Sequence, residues 1–209
     1  RLKEEKKANM LGVYHLLSGI LLMRTADQSK ALQQFNLSLA SFEKFKDTTG
    51  IILTYSSITN MHLNYANAAT RDPNRALPYI EKALSLAQKF KNKDLLLGAM
   101  NIQMVCYMYL KGYRNRVEEI AAKQFEIIGD IPELQSRRAY VVNNLGQFYF
   151  EDGNFQKIYE LFKEYLPSAK KEMDLFNYTG VQTNFAEVCL ALNKTEEAKL
   201  IYDEIIKAS

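Results

Sequence analysis

Apolar residues recur along this chain at helical spacing, and the clearest instance lies between Val141 and Leu166. Val142, Leu145 and Tyr149 fall at i, i+3 and i+7, one stripe of an α-helix, with Gly146 inside it. A glycine inside a helix costs about 1 kcal/mol against alanine, so a large side chain of a neighbouring helix is expected to approach the backbone there. Glu151, Asp152, Gly153 and Asn154 break the period, and Phe155, Ile158, Phe162 and Tyr165 then carry a second apolar stripe. The stretch predicts a helical hairpin, and neither of its helices can bury its stripe alone.

The same hairpin pattern returns at intervals of about forty residues. Ala31, Ala76, Val117, Ile158 and Ala198 mark equivalent points on the second helices, 45, 41, 41 and 40 residues apart. Five units follow, at about 8–46, 49–91, 94–128, 132–170 and 174–207, in a single repeat domain over 1–209. In the first, Met10 to Met23 predicts a helix with Gly19 at the small position, a turn at 24–27, and a second helix through Phe35 and Leu39. In the second, Asp72 and Pro73 have the chemistry of an N-cap and a first helical residue. Pro78 is expected to bend that helix and Pro167 to end or kink the one that carries it. Lys111 to Tyr113 supplies the turn of the third unit, and Asn193 to Thr195, followed by two glutamates, that of the fifth.

Leu145, Gly146, Tyr149, Gly153, Phe155 and Phe162 match the signature positions of the tetratricopeptide repeat, which this chain resembles over nearly its whole length. The familiar repeat is ~34 residues, so the longer period here is closer to the extended repeats of kinesin light chains and bacterial regulatory proteins. The resemblance implies an all-α fold, an α-solenoid of about five hairpins in a right-handed superhelix with no strand. Ile158 stands where the family has alanine, so the fourth helix pair is expected to sit slightly further apart.

Composition narrows the functional classes. Of 209 residues 47% are hydrophobic and 24% charged, an ordinary globular balance. With 27 basic against 24 acidic residues the net charge is +3, far from the surplus of a nucleic-acid module, so no direct nucleic-acid binding is expected. The apolar runs fall short of the ~20 residues that span a bilayer, and no membrane span is expected in this region. Arg rather than Met at position 1 leaves room for a leader or a further segment, so the compartment stays open: cytoplasmic, or periplasmic if a leader precedes Arg1.

Little in the chain points to chemistry. His15 and His62 have no partner at ligand spacing, and His62, on a packing stripe, is expected to be buried and hydrogen-bonded. Cys106 and Cys189 lie two units apart; at helix spacings of about 8–10 Å that is beyond the ~7 Å reach of a disulfide, so both are expected as free thiols. Nucleotide-binding, hydrolase and metal motifs are missing, so no enzyme activity, cofactor or metal is expected.

A stacked array instead offers a concave surface lined by the first helix of each unit. Its expected groove residues are Asn60 in the second unit, Gln103 and Tyr109 in the third, Tyr140, Asn143, Asn144 and Gln147 in the fourth, and Asn184 and Glu187 in the fifth. Ser56, Ser57, Asn64, Ile102, Cys106, Glu151 and Thr183 fall on the same faces. Such side-chain amides donate and accept, which suits a peptide backbone. The chaperone-binding members of the family clamp a terminal carboxylate with Lys and Arg, and this chain has Asn, Gln, Ser and Thr there. The resulting expectation is a non-catalytic module that binds a protein or peptide segment, as the sensory or regulatory part of a larger bacterial signalling or transcription-regulating protein. The alternative is a passive scaffold for a multiprotein assembly. The last helix carries Leu200, Ile201, Ile205 and Ile206, which predicts either a continuing chain or a homo-oligomer through the C-terminal end.

Overall fold

The computed structural model describes residues 2–25, 27–64, 68–172 and 175–208 and, for 2–8, 172, 176 and 177, the backbone alone. The described residues form ten α-helices and no strand: α1 (Leu2–Arg24), α2 (Gln28–Phe45), α3 (Thr48–Leu63), α4 (Pro73–Phe90), α5 (Lys93–Tyr109), α6 (Val117–Ile128), α7 (Arg137–Glu151), α8 (Phe155–Glu172), α9 (Leu175–Ala191) and α10 (Thr195–Ala208). Two compact units divide the chain, 1–120 and 121–209, and the division falls within α6. Both the 24–27 turn and the long 65–72 connection lie partly outside the described residues.

Helix starts are set by side chains that accept orphaned backbone donors. Asp27, Asp47, Asp72 and Asn92 receive the N–H of Lys30, Gly50, Arg75 and Leu95 at 2.9–3.1 Å, and Asn154 receives that of Lys157 at 3.2 Å. Each such cap contributes about 1 kcal/mol. The ends are turned through the left-handed region, at Lys46 (φ 57°) and Lys91 (φ 55°) in the first unit and at Gly153 (φ 67°) and Asn193 (φ 59°) in the second. Helix α10 opens at Thr195, with Glu196 and Glu197 in its first turn.

Within the first unit α1 packs on α2 and α3, α3 on α2, α4 and α5, and α4 on α5. The tightest joint uses one aromatic ring. Phe42 of α2, fully buried, lies between Gly12 of α1 and Gly50 of α3, so close that a methyl group at either glycine would come within 2.7 or 2.5 Å of it. Phe35 fills the space over Gly19 in the same way, at 2.6 Å. Beside this joint the hydroxyls of Ser38 and Thr54, both buried, lie 3.1 Å apart; Ser38 donates to the Gly12 carbonyl at 2.9 Å and Thr54 to the Gly50 carbonyl at 2.7 Å.

The face of α1 turned away from that joint is also apolar. Met10, Val13, Tyr14, Leu17 and Leu21, at spacings of three, four, seven and eleven from Met10, are 45–72% exposed. A helix apolar on both sides is the pattern of an interior element.

In the second unit α7 packs on α8, α8 on α9, and α9 on α10. Its core gathers Ile158, Tyr159, Phe162, Phe185, Ala186, Cys189 and Ala198, with Ile201 and Tyr202 of α10 packed against it. Tyr159 ties α8 to α10: its hydroxyl donates to Glu197 Oε2 at 2.9 Å, while Lys194 sits 4.4 Å above its ring.

Neither proline ends its helix. Helix α4 runs unbroken from Pro73 to Phe90 with Pro78 inside it, and α8 continues past Pro167 to Glu172. The second case has a packing cause. Tyr165 and Ala169 flank Pro167, and both are buried in a cluster with Val142, so tertiary contacts carry the helix through the lost hydrogen bond.

Candidate functional site

The second unit contains a cleft of about 390 Å³ formed by α7, α8 and α9. Helix α7 contributes Asn143, Gly146, Gln147 and Phe150, which recur at helical spacing on one face; α9 contributes Asn184, Glu187, Val188 and Ala191. The floor comes from α8, through Phe155, Ile158 and Phe162. Burial separates the two layers: Gly146, Ile158, Phe162 and Val188 are buried, and Asn143, Gln147, Asn184 and Glu187 are exposed around them. An apolar floor with a few converging polar groups is the usual make-up of a ligand site.

Gly146 shapes the cleft. A methyl group there would meet the Phe162 ring at 3.5 Å, ordinary contact rather than collision, so the aromatic neighbour expected of this glycine is present but stands back. On its other side Phe162 stacks on Phe185 of α9, ring centres 6.2 Å apart at 24°.

Four of the nine expected groove residues, Asn143, Gln147, Asn184 and Glu187, line this cleft together. Tyr140 lies on the same helix one turn before Asn143, exposed, with the Arg137 guanidinium 5.7 Å from its ring, and is not part of the lining. Asn144 is half-buried and likewise outside it, because its position turns 100° away from Asn143. Asn60, Gln103 and Tyr109 belong to the first unit. There Gln103 donates to the Tyr107 hydroxyl at 3.2 Å, and the Arg71 guanidinium carbon lies 3.7 Å from the centre of the Tyr109 ring while its Nε donates to the Leu63 carbonyl. Asn60 is half-buried on α3.

Cys106, placed by its spacing on a groove face, is fully buried, and its Sγ lies 3.4 Å from the Pro73 carbonyl. Burial pushes its thiol up to about 12, and that of Cys189 upward as well; both are free. His62 is half-buried rather than buried, stacked on Tyr79 at 5.8 Å, and loss of hydration lowers its pKa. Among the described residues no group of three or more His, Cys, Asp and Glu could hold a metal ion, and no helix is long and apolar enough to cross a membrane.

The apolar lining residues Phe150, Phe155, Ile158, Phe162 and Val188 were not expected in the site, since apolar residues at helical spacing default to core. A signal existed for one of them. Phe150 falls out of phase with the buried stripe of α7, and it is 59% exposed. No protein-family model matches this chain, and no match is found among curated proteins.

Proposed function

We propose that this chain is a non-catalytic, tetratricopeptide-like α-solenoid that binds a peptide or protein segment in the α7–α9 cleft. The observation that carries the reading is the juxtaposition of Asn143, Gln147, Asn184 and Glu187 over an apolar floor. Amides offer paired donors and acceptors to a backbone, and the floor offers desolvated area to a side chain. The lining holds a single ionisable group, Glu187, and a lone carboxylate gives no acid and base pair for catalysis.

Calorimetry on hits from a peptide array tests the reading. The Asn143→Ala, Gln147→Ala double variant is expected to keep its melting temperature and lose about 1–3 kcal/mol of affinity, the scale of hydrogen bonds removed from a desolvated contact. Unchanged affinity moves the function to another surface. One observation favours a second reading, the passive scaffold: the exposed stripe on α1 is the kind of apolar face that assemblies cover. Light scattering separates the two, because a strict monomer over a wide concentration range disfavours the scaffold.

A further inference from the structure

Resting on the peptide-binding reading, the geometry of the cleft points to a narrower ligand: we propose that it seats one apolar side chain of a peptide that carries a lysine or arginine directly beside it. The apolar half follows from the floor. Phe155, Ile158, Phe162 and Val188 present carbon to the cavity, and at about 390 Å³ it lies near the small end of ligand sites, which are ~300–1,000 Å³. That volume matches a side chain with its flanking backbone.

The basic half follows from the polarity of the rim. The Nε2 group of Gln147 donates to the Glu151 carboxylate at 3.1 Å, which orients the amide so that its oxygen is presented as an acceptor. Glu187, facing it from α9, is acceptor-only in its ionised form. Asn143 and Asn184 can donate as well as accept, so the charge of the lining is that of Glu187, and Glu151 behind Gln147 adds a second carboxylate. The lining contains no Lys, Arg or His. An acidic peptide would bring a carboxylate against two others, whereas an ammonium or guanidinium group supplies charge-assisted donors and balances the charge.

Selection of a displayed random hexapeptide library on the full chain tests this, with Ala191→Trp, at an exposed position of the mouth, as the cleft-blocked control. The expected enrichment pairs a large apolar residue with an adjacent Lys or Arg, and Ala191→Trp abolishes it. Glu187→Gln, an exposed change whose folding a thermal melt checks, is expected to weaken the selected peptide about three- to fivefold, the scale of a partly exposed ion pair. The same peptide with glutamine in place of its basic residue is expected to bind both proteins equally. Peptides that enrich and are lost in Ala191→Trp, yet are neutral or acidic beside the anchor, overturn the basic specificity and leave the peptide-binding reading standing. Enrichment that survives Ala191→Trp, or no enrichment, overturns both.

Discussion

The two units solve the same packing problem differently. In the first, one ring, Phe42, is held between two glycines on two helices, and the neighbouring backbones close to within contact of its edges. In the second, Phe162, which the repeat spacing aligns with Phe35 rather than with Phe42, has a single glycine at ordinary distance on α7 and a second aromatic, Phe185, on α9. A methyl group added at Gly12, Gly19 or Gly50 would come within 2.7 Å of a ring, whereas one at Gly146 would stand 3.5 Å from Phe162, beside the cleft.

Alanine substitutions give the largest expected contrast. Gly50→Ala would press a methyl group into the trapped Phe42 ring, and a loss of about 1–3 kcal/mol by overpacking is expected in denaturant unfolding. Gly146→Ala meets only ordinary contact, so the helix-propensity gain of up to about 1 kcal/mol is expected to dominate. Equal destabilisation at both sites would break the comparison. Next comes the hydroxyl pair that backs the closed joint: Thr54→Val, nearly isosteric, is expected to cost about 1 kcal/mol, and no cost would mean that glycine packing alone holds α1 to α3.

The smallest effect concerns the turns. In the first unit Lys46 and Lys91 occupy the left-handed region, where a side chain is strained, beside Asn64 and Gly112, which tolerate it as do Gly129, Gly153 and Asn193 in the second. Lys91→Gly is expected to raise stability by about 0.5–1 kcal/mol, read as a shift in midpoint at constant slope, and Asn193→Gly by less.

Much of this was legible in the chain. Helix positions, the Asp72 cap and the exposed faces of α7 and α9 follow from period and turn chemistry, which are local properties. Gly19 and Gly146 announced themselves by sitting in apolar stripes, and each does face a phenylalanine. Gly12 and Gly50 did not, because the Phe42 that explains them lies thirty residues from the first and eight from the second, on another helix. Asn60, Gln103 and Tyr109, expected on the groove, belong to the first unit and are not among the residues lining the cleft. Phase along one helix tells which side chains are outward, but not that Arg71 will cover Tyr109 or that Tyr107 will engage Gln103. The apolar floor was hidden because a residue beneath a cleft and a residue in a core share the same pattern.

The wedged Phe42 ring also sets how the first unit can open. Helix α2 cannot leave either neighbour without withdrawing the ring from both glycines, so α1, α2 and α3 are coupled into one opening event. Their amides are therefore expected to exchange with solvent together, at one common and high protection. In α10, by contrast, Ala198 is the one fully buried residue among those described, and its amides are expected to exchange earlier, because so little of the helix is buried. A single aromatic side chain thus determines which part of the chain breathes as a block.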